Sequence, residues 1–417
     1  MFPWKEFLPL LWSSFWASFC RPAFWIVLII VGFMYRKMTQ TTKDLFKTPG
    51  ESPWRLTITA AFLGISGGFL GSCLLVLVGI SLNEIGGFYL LITALVLMLI
   101  QQRFLCFAYA GGVLSLISLL GGLQLVNVPQ VMALVAILHL VEAFLIYFTG
   151  SMNVLPIYVS TKEGHLVGGY NLQKFWPLPL IVLFAGIYPD PQIIKGVVSM
   201  PDWWPLLKPE FALWQGDVVY SLLAIPAILG YGDVAISMTP REKTKLAGRE
   251  LALYSIILLG LALGAGYYPP LAYLAALFGP GGHELVIYWG RRREVRGEPL
   301  FVPVDNGVKI LAVERGGILA NAGVKAGDVL LAINEQPLSC ETEISAIDME
   351  KGGKLKLKYL AEEQIKEMTL TIEKGMEWGF LPVPGRQIGP YLQVLTSVSP
   401  LKKFWVELQS FLAKWKN

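Results

Sequence analysis

Apolar residues fill most of the first 290 positions in long runs that short polar segments separate. A helix rises 1.5 Å per residue, so roughly 20 apolar residues cross the hydrocarbon core of a bilayer. Runs of this kind are centred in the following segments: about 22–36, 55–80, 86–101, 104–122, 129–149, 175–189, 213–233 and 250–268. The pattern predicts an α-helical polytopic membrane protein with about eight transmembrane helices, in a range of six to nine.

One further apolar run, at about 271–289, contains the sequence GPGG in its middle. Proline and glycine weaken a helix interior. We therefore expect this segment to be either a bent crossing or a half-inserted hairpin.

The pattern changes after about residue 290 to charged residues and short alternating strands. VKILAVE predicts a strand, GGILANAG a short helix, residues 341–350 a second helix, and KLKLKYL with KEMTLTI a final hairpin. Together they predict a compact α+β domain. The predicted segments are an interfacial segment 1–21, a transmembrane domain 22–290, a basic junction 291–299, the α+β domain 300–375, an extension 376–399 and a basic amphipathic tail helix 400–417.

Composition and charge refine this plan. Hydrophobic residues make up 54% of the 417 positions and charged residues only 15%, which indicates an integral membrane protein. The net charge of +4 is small, so we expect no nucleic-acid partner. Lys and Arg collect in the segments 36–55, 241–249 and 291–296. Positive loops stay in the cytoplasm, which predicts a cytoplasmic C-terminal domain and leaves the side of the N-terminus open. The tail helix either lies on an anionic membrane surface or packs on protein.

No catalytic pattern is complete in the apolar half. His283 and Glu284 begin the HExxH pattern of zinc proteases, but Ile287 occupies the second ligand position and no other histidine is near in the sequence. GISGGFLG around Ser66 resembles the GxSG stretch of rhomboid proteases, yet bulky residues follow His139. We interpret the glycines as close-packing positions between helices. The four cysteines form no CxxC motif, and we interpret them as buried thiols. We expect no catalytic residue, no metal ligand and no cofactor.

His139 and Glu142 lie three residues apart on one face of a predicted span. Ionisable groups in hydrocarbon are costly and usually face the bundle interior. The pair is either part of a proton relay or transport site, or a neutral structural hydrogen bond.

The segment VERGGILANAGVKAGDVLLAIN, from Val313 to Asn334, resembles a bacterial PDZ domain. The resemblance implies that a peptide adds as a strand at a sheet edge beside a helix. The implied groove lies between a strand and the second helix of the domain, with the residues Leu300, Phe301, Val302, Ile344 and Ile347.

The carboxylate-binding loop departs from the PDZ pattern. The matching position reads Glu298, Pro299, Leu300 and Phe301, and proline has no N–H to donate. Residues 378–381, with the sequence WGFL, form a second candidate loop. The ligand is therefore either a free C-terminus, an internal segment or the surface of a partner protein.

The whole layout resembles the MinJ family: an aromatic start, Gly-Gly-His-Glu before an aromatic stretch, a basic junction and a C-terminal PDZ domain. The resemblance implies a non-enzymatic scaffold of division-site selection in the cell membrane, at septa or poles. Its implied partners are DivIVA-like proteins and the MinC and MinD inhibitors of FtsZ assembly. The alternatives are an intramembrane protease with a PDZ gate and a membrane transporter.

Overall fold

A computed structural model of the chain describes two parts, one mainly helical and one mainly of strands. The described residues are 2–46, 52–161, 164–188, 198–208, 217–314, 316–339, 343–344, 353–373, 376 and 378–385. The predicted tail helix 400–417 and Ile347 lie outside them.

Eight helices build the helical part in the described residues. They are α1 Trp4–Ala17, α2 Pro22–Phe46, α3 Pro53–Val78, α4 Gly87–Ile100, α5 Phe107–Gly121, α6 Val128–Thr149, α7 Pro240–Tyr267 and α8 Leu271–Arg296. Four helices are long and apolar enough to cross a membrane, and they are Pro22–Gln40 within α2, α3, α6 and α7. Helices α4 and α5 have 14 and 15 residues and are shorter than a typical span. The four candidates do not confirm the predicted count of about eight.

Helix α8 continues without interruption through the GPGG sequence, and Pro280 lies inside it. Of the two alternatives for 271–289, a bent crossing or a half-inserted hairpin, the hairpin is therefore wrong. The helix also runs past the predicted domain boundary at residue 290 and ends at Arg296.

The two spans predicted at 175–189 and 213–233 are not helices in their described residues, 175–188 and 217–233, and that prediction is wrong. These segments form strands β3 Lys174–Tyr188 and β4 Asp217–Tyr231, which pair antiparallel over 15 residues each. The physical reason is proline. Pro177 and Pro179 would interrupt a helix twice within one turn, and Pro226 lies opposite Pro179 in the pair of strands.

The outer edge of strand β3, which faces away from β4, packs against the helices. The backbone N–H and carbonyl groups at this edge therefore need hydrogen-bond partners. The Tyr35 hydroxyl accepts from the Phe175 N–H at 3.1 Å and donates to the Phe175 carbonyl at 3.0 Å. Pro177 and Pro179 have no N–H at this edge. The next outward N–H groups donate to the helical part, in the pairs Ile181 to Ser72 Oγ (2.9 Å), Leu183 to the Ile80 carbonyl (3.0 Å) and Ala185 to Ser81 Oγ (3.2 Å). At every second residue from Phe175 to Ala185, the outward N–H therefore has a hydrogen-bond partner or is absent because the residue is proline.

The glycines of α3 allow this close approach. A Cβ atom on Gly64 would lie 2.1 Å from the Pro177 carbonyl oxygen, and one on Gly68 would lie 2.4 Å from that of Pro179. Gly67 contacts Leu145 of α6. The predicted close packing is confirmed, although a strand and not a helix faces Gly64 and Gly68.

Besides the β3–β4 pair, the described residues form two further sheets. The small sheet has the order β1-β2-β5, with β1 Leu155–Ser160, β2 Leu166–Asn171 and β5 Val234–Ala235. The larger sheet has the order β10-β9-β7-β6-β11, and β8 pairs with β7. Its elements are β6 Val308–Val313, α9 Ile318–Asn321, β7 Val329–Ile333, β8 Gln336–Pro337, β9 Gly353–Ala361, β10 Gln364–Ile372 and β11 Phe380–Pro382. The predicted strand VKILAVE and the predicted final hairpin are confirmed as β6 and as the β9–β10 pair.

Candidate functional site

The edge strand β11 completes the larger sheet next to β6. It begins inside the second candidate loop, with which it shares Phe380 and Leu381, and Phe380 pairs with Val313 across the two antiparallel strands. Gly379 has a φ of +62°, a region that favours glycine, and a Cβ there would lie 2.7 Å from the Gly317 Cα. The loop with the sequence WGFL therefore needs glycine to bring the chain into the sheet.

The residues predicted to line a peptide groove lie in two places. The Phe301 carbonyl accepts from the Gly168 N–H of β2 at 2.8 Å, and the Leu300 N–H donates to the Ile236 carbonyl at 3.0 Å. Leu300 and Val302 are each 39% exposed. Ile344 is buried in the core of the larger sheet. The structure thus attaches Leu300 and Phe301 to the small-sheet side, and their role in binding stays a prediction.

Two tyrosines of the small sheet hold the larger sheet. The Tyr170 hydroxyl donates to the Leu311 carbonyl at 2.6 Å, and its ring meets Phe301 edge-on at 5.5 Å. Burial raises the pKa of Tyr170 to about 12. The Tyr158 hydroxyl donates to the Pro382 carbonyl at 2.9 Å. Strands β6 and β11 are therefore both tied to the small sheet.

A buried ion-pair cluster ties the small sheet to the helices. The Lys243 ammonium of α7 lies 3.2 Å from Asp233 and 3.5 Å from Glu294 of α8, and the Lys243 and Glu294 side chains are 3% and 6% exposed. The second Glu294 oxygen accepts from the N–H groups of Ile236 and Ser237 at 2.9 and 2.8 Å. Buried charges need such partners to be tolerated. The helices, the small sheet and the larger sheet consequently form a continuous chain of contacts.

Inside the helical part, the imidazole of His139 makes its polar contacts with residues other than Glu142. Its Nδ1 lies 2.7 Å from the Val135 carbonyl, and its Nε2 lies 3.1 Å from Cys106 Sγ. The neutral hydrogen bond between His139 and Glu142, one of the two alternatives for this pair, does not form between these described residues. The ring of His283 lies 5.0 Å from that of His139, although the two histidines are far apart in the sequence. Sequence reasoning missed this cluster because 177 positions separate Cys106 from His283.

The serine-protease geometry is not formed in the described part of the chain. The Ser66 hydroxyl donates to the Leu63 carbonyl at 2.7 Å, one helical turn before it. No hydrogen bond joins Ser66 to His139 in the described helices. A serine nucleophile needs a base within hydrogen-bond reach.

Comparisons with known proteins agree with this architecture. Residues 290–360 match the PDZ domain model, which confirms the predicted PDZ domain. The cell division topological determinant MinJ of Bacillus subtilis (strain 168) is 22% identical over 337 residues, which cover 77% of this chain and 81% of that protein. The magnetosome formation protease MamE of Paramagnetospirillum magneticum is 38% identical over 71 residues, but these are 16% of this chain and 10% of that protein. The similarity to MinJ extends far beyond the PDZ segment, so the chain resembles MinJ over most of its length and contains a PDZ domain.

Proposed function

We propose that the protein is a non-enzymatic, membrane-anchored scaffold that presents its PDZ domain to proteins of division-site selection. The similarity to a cell division topological determinant over 77% of the chain is the observation that carries this proposal. A shared PDZ domain alone would cover far less of the chain. The partner classes that follow from the family resemblance are DivIVA-like proteins and the MinC and MinD proteins.

The helical part supports a multi-pass position in the cell membrane. Four helices have the length and apolarity of spans, and α2 exposes a row of large apolar side chains, namely Trp25, Ile26, Ile29, Ile30 and Phe33. Water would disfavour such a surface, whereas lipid would solvate it. The arginines at the end of α8 favour a cytoplasmic PDZ domain.

Two sheet edges compete as the place where a peptide binds. The proposed groove contains Leu300, Phe301, Val302, Ile344 and Ile347. The second candidate is β11, because it is an edge strand of the PDZ sheet and begins inside the loop with the sequence WGFL. Binding of a partner to the full-length protein in detergent would distinguish them: Val302→Arg should weaken it if the first edge is used, and Phe380→Arg if the second is used.

Imaging of the tagged protein in dividing cells tests the function. We expect enrichment at septa and poles, and filaments or minicells when the gene is deleted. Removal of residues 300–375 should release the partners while the helical part stays in the membrane. A uniform membrane signal with normal division would contradict the scaffold.

Two substitutions separate the alternatives. Ser66→Ala should leave division unchanged, whereas a serine protease would lose function. Glu142→Gln should also be tolerated, whereas a transporter with a proton relay at this residue would lose flux across a vesicle membrane.

A further inference from the structure

Three metal-ligating side chains converge from three different helical elements. Cys106 immediately precedes α5, His139 lies in the middle of α6, and His283 lies in the middle of α8. The Cys106 Sγ atom lies 3.1 Å from His139 Nε2 and 3.9 Å from His283 Nε2. All three donor atoms lie within 4.8 Å of one another.

The hydrogen bonds of the two Nδ1 atoms determine which nitrogen of each imidazole can bind a metal ion. His139 Nδ1 lies 2.7 Å from the Val135 carbonyl, which only accepts, so this nitrogen carries the proton. His283 Nδ1 lies 3.2 Å from the Tyr109 oxygen, and the Tyr109 hydroxyl donates to Glu284 at 2.7 Å. The Tyr109 oxygen can therefore accept from His283 Nδ1–H. Both Nε2 lone pairs remain available on the side of the sulfur.

The surroundings resemble the outer shell of a metal site. Metal-binding histidines commonly donate their second ring N–H to a carbonyl or to a carboxylate network, which orients the ring. Glu284 is itself held by Arg103 at 2.9 Å. The Tyr254 ring lies 5.6 Å from the His139 ring and 5.9 Å from the His283 ring, and its hydroxyl donates to the Gly279 carbonyl at 2.7 Å. Neighbours thus fix both imidazoles before any ligand binds.

We propose that Cys106, His139 and His283 bind a zinc ion that joins α5, α6 and α8. Tetrahedral zinc with bonds of about 2.3 Å to sulfur and 2.0–2.1 Å to nitrogen places its donors roughly 3.3–3.8 Å apart. The two sulfur–nitrogen distances, 3.1 and 3.9 Å, need shifts of only a few tenths of an ångström. A thiolate with two imidazoles selects zinc-class ions over magnesium and calcium.

The three protein donors leave the fourth tetrahedral position to a water molecule, an arrangement shared with catalytic zinc sites. The role of this ion is nevertheless structural. The carboxylate beside His283 pairs with Arg103 and accepts from Tyr109, so it is not directed at the three donors as a general base would be. The ion instead connects segments that are 33 and 177 positions apart in the chain. This site is independent of the proposed role in division.

Metal analysis of the full-length protein in detergent tests the proposal. We expect about one zinc ion per chain after dialysis against zinc, and the same stoichiometry for cobalt(II), with a sulfur-to-cobalt charge-transfer band in the near ultraviolet. A variant in which Cys20, Cys73 and Cys340 are all serine leaves the three proposed ligands untouched. It should keep both the stoichiometry and the band.

Ligand variants complete the test. Cys106→Ser should abolish the charge-transfer band, and His283→Gln should lower zinc binding at least tenfold, whereas His165→Gln, at a histidine between β1 and β2, should change neither. Absence of zinc uptake by the three-serine variant would overturn the proposal without relying on the folding of a ligand variant. A band that persists in Cys106→Ser would also overturn it, and copper(I) binding without zinc or cobalt uptake would contradict the choice of zinc.

Discussion

At the scale of single residues, the Tyr170 hydroxyl joins the small sheet to the PDZ sheet. Tyr170→Phe removes its hydrogen bond and leaves the buried Leu311 carbonyl with one partner fewer. We expect the free energy of unfolding to fall by about 1 kcal/mol. Thermal unfolding in detergent measures the change. Tyr267→Phe is the control, because Tyr267 is 79% exposed, and equal effects of the two substitutions would contradict the prediction.

The same residue predicts a dependence on alkaline pH. Tyrosine in an unfolded chain has a pKa near 10, and burial raises the pKa of Tyr170 to about 12. The buried neutral phenol therefore stabilises the fold fully below a pH of about 10, and this contribution is lost as the pH rises through about 12. The stability difference between the wild type and Tyr170→Phe should shrink over this interval. A difference that stays constant between pH 9 and pH 12 would contradict it.

At Gly168, strand β2 lies close to the PDZ domain. A Cβ atom there would lie 2.7 Å from Leu311 Cδ1 and 2.9 Å from Phe301 Cβ. Gly168→Ala should therefore separate the two sheets and destabilise the protein by about 1–3 kcal/mol. Gly232→Ala is the matched control, because a Cβ there meets nothing within 4 Å. Limited proteolysis of the segment 297–307 should become faster in the first variant only.

At the scale of elements, the packing of α3 on β3 depends on glycine. Gly64→Ala would place a methyl group against a strand carbonyl, where the backbone has to move, and we expect a loss of about 2–3 kcal/mol. Gly281→Ala is the control within another helix, since its Cβ meets nothing within 4 Å. Because alanine favours helix over glycine, the control should be neutral or slightly stabilising in thermal unfolding. Similar melting temperatures for the two variants would argue against a close α3–β3 contact.

The elements differ in how far sequence could predict them. The helices at α3, α6 and α7 follow directly from apolar runs, because helix length and apolarity are local properties. The β3–β4 hairpin has the same apolarity, so a hydropathy window reads it as two spans. Pro177 and Pro179 were the signal against a helix, because each removes a donor and clashes with the preceding turn. Their alternate spacing fits a strand edge that donates no hydrogen bond at these positions.

The PDZ domain was predictable because its turns are encoded in short sequences. Gly316, Gly323 and Gly327 have φ values of +89°, +74° and +98°, which side-chain-bearing residues rarely adopt. No short sequence motif marks the cluster of Cys106, His139 and His283. Its members meet only because α5, α6 and α8 pack together, and a single sequence does not contain that packing.

At the scale of the whole molecule, Glu294 of α8 connects the helices to the small sheet. Glu294→Ala leaves the buried Lys243 with Asp233 as its remaining acidic partner and frees the N–H groups of Ile236 and Ser237. Breaking such a buried pair costs about 3 kcal/mol. Glu367→Ala is the control, since its pairs with Lys358 and Lys356 are half exposed and contribute at most about 1 kcal/mol.

Chemical denaturation measures both Glu294 and Glu367 variants against the wild type. The first should also expose the α8–β6 connection to protease, because the small sheet loses its attachment to α8. Equal midpoints for the two variants would show that the helices and sheets do not depend on this cluster.

The outer edge of β3 has a consequence for how the chain can change its length. Groups that meet the helices occur at every second residue from Phe175 to Ala185, and the residues between them face β4. Adding or removing one residue in this stretch would turn every later donor to the opposite side, and a change before Pro179 would also direct a proline nitrogen into the β3–β4 ladder. The stretch can therefore gain or lose only an even number of residues. This restriction on length holds even at positions where the side chain can vary.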